Sequence, residues 1–373
     1  MTPPPATATK VGAPADPVER RAFVRERIAR SDLDALLVLG LPNIRYLSGF
    51  SGSAGLLVVR AEPPDVFFTD FRYQSQVAAE LDGSVEVRIE TEGLLKVARE
   101  FLTGQGAARV AFEREQLTYR GWAEWSQTEG PALVPVAEWV EEVRAVKSPA
   151  EIHAIRRACR VADDTFERML DEVRAGITER DLAARLELEL TARGAQGASF
   201  DTIVAFGEGS ALPHARPGSR ELRRGEVVLF DFGAVVDGYV SDVTRTVSCG
   251  EPPAEMRQVY AVVLKAQGAA LRGIQAGMSG PEADGLARDV IEAAGYGERF
   301  GHSLGHGIGL EVHEAPRLGK KSEDRLAPGM TITIEPGIYL EGIGGVRIED
   351  DAVITESGLE LLSFAPKDEL IVL

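Results

Sequence analysis

Hydrophobic and polar positions switch between helical and extended spacing along the first third of the chain. The pattern predicts a helix over residues 20–30 and strands at 35–39, 56–60, 66–69 and 109–112, with further helical segments between them. Such alternation is typical of an α/β domain. The glycine-rich stretch 49–55 fits neither fingerprint of nucleotide-binding loops, and we interpret it as a tight turn between two strands.

The pattern changes near residue 147, which predicts a domain boundary. Ser148-Pro149-Ala150-Glu151 forms a capping box with proline at the first helical position, and apolar residues then recur at helical spacing as far as Met169. A long amphipathic helix is therefore expected to open a second domain. We predict a disordered tail at 1–17, an N-terminal α/β domain at 18–142, a linker at 143–148 and a larger domain at 149–373.

The larger domain shows signs of an internal duplication. Gly176 and Gly277, 101 residues apart, each introduce a helix that is followed by a predicted β-hairpin, at 227–247 and 331–354. Each hairpin carries two carboxylates: Asp231 and Asp242 in the first, Glu335 and Glu349 in the second. We predict two pseudo-equivalent halves that present these acids to one shared cleft.

The four acids interrupt apolar, β-rich segments, where an uncompensated charge is costly. Asp237-Gly238 predicts a hairpin turn that places Asp231 and Asp242 side by side, so Asp237 itself is interpreted as a turn residue. A pair of divalent cations would compensate the four negative charges and let all of them stay ionised.

The chain has only five histidines: His153, His214, His302, His306 and His313. Three of them lie within twelve residues, which indicates a site, but glycines interrupt the segment and exclude the helical His-Glu-x-x-His motif. Loop and strand geometry is expected there. His306 stands between two glycines that permit close approach, and we select it as a metal ligand.

Four carboxylates and one imidazole form an oxygen-rich ligand set suited to Mn²⁺, with Co²⁺, Fe²⁺ or Zn²⁺ as alternatives. Two such ions about 3.5 to 4 Å apart lower the pKa of water and stabilise the oxygens of a tetrahedral intermediate. The sequence therefore predicts a two-metal hydrolase.

Charge and composition restrict the classes of partner that the protein can bind. The net charge of −17, from 41 basic and 58 acidic residues, argues against a nucleic acid partner. No run of eighteen apolar residues and no apolar signal core occurs, so we expect a cytoplasmic protein without a membrane partner. Cys159 and Cys249 are interpreted as reduced, structural cysteines.

Four ordered motifs resemble the pita-bread metallopeptidases, in particular the Xaa-Pro branch that contains aminopeptidase P and prolidase. They are Asp231-Phe-Gly through Ser241-Asp242-Val-Thr-Arg-Thr, His302 through His313, Thr333-Ile-Glu335-Pro-Gly-Ile-Tyr339 and Gly345-Val-Arg-Ile-Glu349-Asp-Asp. Asn43-Ile-Arg-Tyr-Leu-Ser-Gly-Phe is similar to the N-terminal domain of the same branch. The resemblance implies a pita-bread catalytic domain with a pseudo-twofold duplication, preceded by a smaller α/β creatinase/prolidase-type domain.

The resemblance also implies a role for each site residue. The metal ligands are Asp231, Asp242, His306, Glu335 and Glu349, with Asp242 and Glu349 bridging two ions and Glu335 also accepting a proton from the attacking water. His214, His302 and His313 match histidines at the substrate, Arg347 an arginine that orients a ligand, and Tyr339 a site tyrosine. The implied substrates are peptides with proline in second position, and the implied assembly is a homodimer or higher homo-oligomer.

Three alternative functions, within this family and outside it, compete with the Xaa-Pro peptidase. A methionine aminopeptidase shares the ligands but lacks the N-terminal domain, creatinase lacks the metal set, and a catalytically inactive binding module would be expected to lose ligands. Dipeptidase activity is slightly favoured over aminopeptidase activity, although the two are nearly even. A dipeptidase must bind the substrate carboxylate, for which Lys320 and Lys321, or Arg45 and Arg72 from across a dimer, are candidates.

Overall fold

The computed structural model describes residues 14–373, so residues 1–13 of the predicted tail lie outside the described residues. Asp16 caps the first helix, accepting hydrogen bonds from the backbone amides of Val18 and Glu19. Contacts along the chain define two compact units, one ending at Arg144 and the other comprising Ala145–Leu373. None of the helices in the described range is long and apolar enough to span a membrane.

The N-terminal unit alternates helices and strands, as the sequence pattern predicts. Its elements are α1 (Pro17–Arg30), β1 (Ala35–Val38), α2 (Leu41–Ser48), β2 (Leu56–Arg60), β3 (Asp65–Asp70), α3 (Gln74–Glu80), β4 (Val85–Glu90), α4 (Leu94–Gly104), β5 (Arg109–Glu113), α5 (Tyr119–Ser126), β6 (Ala132–Val136) and α6 (Glu141–Ala145). The six strands form one mixed sheet in the order β4-β3-β2-β1-β5-β6. The α/β class predicted for this part of the chain is confirmed.

The interpretation of residues 49–55 as a turn between two strands is wrong, because the stretch joins helix α2 to strand β2. Proline lies in the first turn of α2, where its missing N–H costs nothing, and Gly49 ends the helix in the left-handed conformation at φ 85°. Both residue types are also turn signals, which is why the sequence pattern concealed a helix of eight residues.

The C-terminal unit contains two helix pairs, each followed by strands. The first half comprises α7 (Pro149–Met169), α8 (Glu179–Ala192), β7 (Gly197–Ala198), β8 (Ile203–Phe206), β9 (Glu226–Phe232), β10 (Ala234–Val236), β11 (Tyr239–Val240) and β12 (Val243–Cys249). The second comprises α9 (Ala254–Gly273), α10 (Gly280–Ala293), β13 (Gly305–Gly307), β14 (Glu314–Leu318), β15 (Thr331–Ile334), β16 (Gly337–Leu340), β17 (Gly344–Arg347), β18 (Asp350–Thr355) and β19 (Gly358–Leu361). The order of elements repeats as the predicted duplication requires.

Each predicted hairpin is in fact two nested strand pairs. In the first, β9 pairs with β12 and the chain then continues into the tip pair β10–β11; in the second, β15 pairs with β18 and β16–β17 form the tip. The strands break at Gly233, where a Cβ would lie 1.8 Å from the carbonyl oxygen of Ser241, and at Pro336, which has no N–H for the ladder. The acids of the site therefore lie beside these breaks.

Two local predictions for this unit agree with the structure. Ser148 and Glu151 form the capping box of α7, and Ser279 and Glu282 form the equivalent box of α10. Asp237 and Gly238 have φ 49° and 74°, the left-handed values that a two-residue hairpin turn of type I′ requires. The turn brings β11 and β12 back beside β10 and β9, as the Asp-Gly pair indicates.

Candidate metal centre

The candidate site is built where strands of the C-terminal unit begin and end. Asp231 lies on β9 and Asp242 directly precedes β12, whereas Glu335 directly follows β15 and Glu349 directly precedes β18. The register pairs Asp231 with Thr244 and Ile334 with Asp350, so each acid pair is brought together by its own hairpin. The hydrogen bond from the Glu349 amide to the Thr244 carbonyl, 3.1 Å long, joins the two hairpins.

The structure brings the predicted ligands of both halves into one buried cluster. Candidate ligand atoms of Asp242, His306 and Glu349 all lie within 4.8 Å of one another. His306 Nε2 is 3.8 Å from Asp242 Oδ2 and 3.4 Å from Glu335 Oε1. Asp231 is 8% exposed and contributes to the electrostatics of the same cluster, because its charge raises the pKa of Asp242.

The imidazole of His306 is held in the form that a metal ion requires. Its Nδ1 lies 3.0 Å from the carbonyl oxygen of Gly307, which can only accept, so Nδ1 carries the proton. Burial lowers the pKa of His306 to about 4, so the ring is neutral near pH 7. The unprotonated Nε2 therefore faces the carboxylates with its lone pair free to bind a cation.

Two carboxylates of the cluster each have an oxygen without a hydrogen-bond partner in the described chain. Such unpaired oxygens are what a site that binds a metal ion would present. Asp242 Oδ1 and Glu349 Oε1 are buried and make no hydrogen bond within residues 14–373. Desolvation, followed by the neighbouring carboxylates, raises the pKa of Asp242 and Glu349 well above their usual values; burial raises that of Glu335 to about 8. Divalent cations would supply the missing partners and stabilise the charges, so these residues fit a metal site.

A chain of hydrogen bonds runs outward from Asp231. Arg347 donates to Asp231 Oδ2 at 2.5 Å and to the Tyr339 hydroxyl oxygen at 2.8 Å, and that hydroxyl lies 2.9 Å from His302 Nε2. His302 Nδ1 lies 2.8 Å from the carbonyl oxygen of Ser303, so Nδ1 is the donor and Nε2 accepts from Tyr339. Both ring nitrogens of His302 are thus engaged within the protein.

His302 is expected to make the metal-free protein less stable, relative to a variant that lacks this histidine, as the pH falls from about 6.5 to about 4. Burial lowers the pKa of His302 from 6.5 to about 4, so over this window the unfolded chain binds a proton that the folded protein does not. The contribution of His302 to the free energy of unfolding therefore falls as the pH falls, whereas the buried carboxylates, whose pKa values are raised, contribute in the opposite sense. Urea unfolding of the wild type and of His302→Gln at several pH values measures the effect: the free energy of unfolding of the wild type, relative to that of the variant, should fall as the pH is lowered through this window. Identical pH dependences would contradict this prediction.

The two remaining histidines of the predicted site lie nearer the solvent. His313 is exposed, and its ring centroid lies 4.3 Å from that of His306. His214, also exposed, follows a short 3₁₀ turn and is close enough for its charge to lower the pKa of both His302 and His313. Four of the five histidines therefore face one region, whereas His153 is exposed on α7.

Sequence reasoning missed one cation at the site, Arg317. It lies on β14 directly opposite His306 on β13, so the two side chains project from the same face of the sheet. Burial lowers the pKa of both His306 and His313, and the charge of Arg317 adds to that effect. A strand assignment over residues 314–318, paired with 305–307, would have revealed it. Of the two lysines selected instead, Lys320 and Lys321, Lys320 lies 3.9 Å from Glu292 on α10 and is 63% exposed.

The layer behind the acids was also not apparent from the sequence. Thr244 Oγ1 donates to Glu349 Oε2 at 2.6 Å. Asp351 Oδ2 accepts from the backbone amide of Asp242 at 2.9 Å and from the thiol of Cys159 at 3.2 Å. Both cysteines are buried and free, and Cys159 therefore contributes to the support of a ligand segment.

Comparison with known proteins agrees with this fold and site. Residues 153–356 match the family described as metallopeptidase family M24, and residues 20–146 match the creatinase/prolidase N-terminal domain. The chain belongs to the M24 metallopeptidase family, and the predicted resemblance to pita-bread metallopeptidases is confirmed.

Among its relatives, an Xaa-Pro dipeptidase of Pyrococcus horikoshii is 37% identical over 92% of this chain and 97% of that protein. The structure of an Xaa-Pro dipeptidase from Bacillus anthracis is 39% identical, with a TM-score of 0.93, and covers 96% of this chain and 100% of that one. An X-Pro aminopeptidase from Thermotoga maritima is 38% identical, with a TM-score of 0.86, over 93% and 100% of the two chains.

Proposed function

We propose that this protein is a two-metal peptidase that hydrolyses the bond before proline in Xaa-Pro dipeptides. The observation that carries the hydrolase assignment is the buried cluster of Asp242, His306 and Glu349, in which two carboxylate oxygens lack a partner within the described chain. The substrate class is supported by relatives named Xaa-Pro dipeptidase and X-Pro aminopeptidase, which align with this chain over nearly its whole length.

The proposed metal ligands are the five residues predicted from the sequence. Asp231 and Asp242 would hold one ion, His306 and Glu335 the other, and Asp242 and Glu349 would bridge them. The oxygen-rich donor set favours Mn²⁺, with Co²⁺, Fe²⁺ or Zn²⁺ as alternatives. When bound, such ions supply Lewis-acid chemistry: they lower the pKa of water and stabilise negative charge on the carbonyl oxygen.

The remaining roles follow from what each side chain can do with a proton. Glu335 accepts the proton of the attacking water and delivers it to the proline nitrogen, which leaves as an amine. His313 lies at the exposed edge of the cluster and is assigned to donate a hydrogen bond to the scissile carbonyl. His214 is assigned to bind substrate, whereas the two internal hydrogen bonds of His302 favour a role in orienting Tyr339 and Arg347.

Arg317 supports the choice of dipeptides over longer peptides. A dipeptide presents its free carboxylate next to the cleaved bond, and a guanidinium is well suited to bind it through two hydrogen bonds. Arg317 projects from the same face as His306, on the side where His313 lies. The alternative is an X-Pro aminopeptidase acting on longer peptides, which the similarity to the Thermotoga maritima enzyme favours.

Arg317→Met is expected to raise KM for an Ala-Pro dipeptide by about 10- to 100-fold, equivalent to the 1.5–3 kcal/mol of a charged hydrogen bond. The wild type should cleave Ala-Pro faster than Ala-Pro-Gly-Gly, and the variant should reduce that preference because the longer peptide has no carboxylate at this position. Steady-state kinetics with Mn²⁺ on both substrates measure the effect.

Lys320→Met is the matched control, because it removes an exposed cation from the following loop, and its kinetic constants should equal those of the wild type. Faster cleavage of the tetrapeptide by the wild type would favour the aminopeptidase. Absence of turnover on either peptide with Mn²⁺ or Co²⁺ would contradict the proposed function.

We further propose a cytoplasmic homodimer or higher homo-oligomer. None of the helices in residues 14–373 could span a membrane, which agrees with a cytoplasmic location. The homo-oligomer is what the resemblance to the pita-bread peptidases implies. The strongly acidic charge makes nucleic acid an unsuitable partner.

A further inference from the structure

A buried ion pair, Lys147 with Glu314, involves the residue that directly follows His313. Lys147 Nζ is 3.0 Å from Glu314 Oε2, and the two side chains are 1% and 6% exposed. Well-packed apolar residues often replace such a pair without loss of stability, because desolvation offsets the attraction between the charges. Stability alone is therefore a weak explanation for these two residues.

The other carboxylate oxygen of Glu314, Oε1, closes the loop that leads to His313. Glu314 Oε1 accepts hydrogen bonds from the backbone amides of Leu310, at 2.9 Å, and Glu311, at 3.1 Å. A Cβ at Gly309 would lie 2.8 and 2.9 Å from the two carboxylate oxygens, so glycine allows the carboxylate to lie against the backbone. The loop is thus folded around the Glu314 side chain.

Glu314 Oε2, through its ion pair with Lys147, joins this loop to the start of α7. Lys147 directly precedes Ser148, the N-cap of that helix, and its backbone amide donates to the carbonyl of Gly329 at 2.9 Å. Its ammonium also donates to the carbonyl of Ala145 at 3.3 Å. The charge that holds Glu314 is therefore itself fixed by the backbone.

We propose that Lys147 and Glu314 are positioning residues that set the place of His313 against the cleaved bond. Glu314 is the next residue after His313, so the carboxylate that closes the loop also restrains the backbone that carries the imidazole. The inference rests on the proposed peptidase function, in which His313 donates to the scissile carbonyl. A donor displaced by about 1 Å loses much of its effect on the transition state, although substrate and metal still bind.

Glu314→Gln keeps the shape of the side chain and removes its charge. It is expected to lower kcat on Ala-Pro by 10- to 100-fold, while KM changes by less than threefold and the number of Mn²⁺ ions bound stays the same. Lys147→Met should lower kcat in the same way, because it releases Glu314 from α7. Steady-state kinetics and metal titration of the purified full-length protein measure these effects.

A double-mutant cycle with His313→Ala separates positioning from a general structural role. If Glu314 acts through His313, then Glu314→Gln should change kcat by less than about twofold once His313 is alanine. The same 10- to 100-fold loss in both backgrounds would overturn the proposal. An inactive wild type would instead contradict the proposed function.

Two further variants keep the test decisive if a single substitution impairs folding. Lys147→Met with Glu314→Gln removes both charges of this ion pair, and the cycle with His313→Ala can be run on this double variant. Asp65→Asn in the N-terminal unit is the matched control: Asp65 is 3% exposed, pairs with Arg21 and accepts the backbone amide of Arg60. It should lower the melting temperature and leave kcat unchanged. A kcat loss in Asp65→Asn equal to that in Glu314→Gln would overturn the assignment.

Discussion

Glu349→Gln is expected to lower kcat on Ala-Pro by at least about 10³-fold and to leave the fold intact. Glu349 is 1% exposed, and its Oε1 has no hydrogen-bond partner in the described chain, so this oxygen is available to a cation. An amide at this position donates hydrogen where the metal needs an anionic acceptor. Metal ions contribute several kcal/mol to transition-state stabilisation, and each 1.36 kcal/mol corresponds to a factor of ten in rate.

The metal-free variant should melt at a higher temperature than the metal-free wild type. Glutamine avoids both the desolvation of a buried carboxylate and its repulsion from its neighbours, since burial, followed by the charges of Glu335 and Asp231, raises the pKa of Glu349. The stabilisation by added Mn²⁺ should shrink at the same time, because fewer ligands remain. Calorimetry with and without Mn²⁺, together with initial rates, measures both effects.

Asp242→Asn should reproduce the loss of turnover, and Asp237→Asn is its matched control. Asp237 lies between the two proposed ligands of the same hairpin but occupies the turn at φ 49°, a conformation that asparagine also adopts. The control should retain wild-type activity. Retention of more than a few per cent of activity by Glu349→Gln or Asp242→Asn would refute the two-metal assignment.

Arg245→Met is expected to lower the free energy of unfolding by about 3–5 kcal/mol, the cost of breaking a buried ion pair. Arg245 is 1% exposed and lies 2.7 Å from Asp350 Oδ1. It also donates to the carbonyl oxygens of Thr244, Glu349 and Ala365. Methionine keeps the apolar part of the side chain but removes the ion pair and these hydrogen bonds. Urea unfolding of the metal-free protein measures the loss.

The substitution should also weaken Mn²⁺ binding, because Arg245 joins the backbone of both hairpins directly behind the ligands. Arg257→Met is the control, since Arg257 pairs with Glu251 at the surface, where the two side chains are 42% and 70% exposed. Surface ion pairs contribute little, so the control should unfold at the wild-type urea concentration. Equal behaviour of the two variants would contradict the prediction.

Local patterns were sufficient for features that depend on neighbouring residues. The capping box at Ser148 and Glu151 and the turn at Asp237-Gly238 both occur as predicted, because each is determined by a few residues and their preferred dihedral angles. The helix Leu41–Ser48 was missed because its local signals are ambiguous. Its proline and glycine are signals shared by turns and by helix ends.

Contacts between distant segments could not be read from local patterns. Arg317 was overlooked in favour of Lys320 because its relation to His306 arises from the pairing of β13 with β14, including an irregularity after His306. The support of the Asp242 amide by Asp351 and Cys159 likewise joins residues 109 and 192 positions apart. Burial of Asp231, Asp242 and Glu349 and partial burial of Glu335 follow from both hairpins packing together, and desolvation raises the pKa of Glu335 to about 8.

Residue types and their order along the chain were enough to establish the class of this protein: an α/β domain followed by a duplicated domain of the M24 family with five candidate metal ligands. Residue type and spacing carry that information, because ligand chemistry and hairpin geometry are local. Three properties of the site became visible only in the folded protein: which carboxylate oxygens lack a hydrogen-bond partner in the described chain, which tautomer His306 adopts and which cation projects beside His306. These properties depend on desolvation and strand register, which arise only when segments about a hundred residues apart pack together.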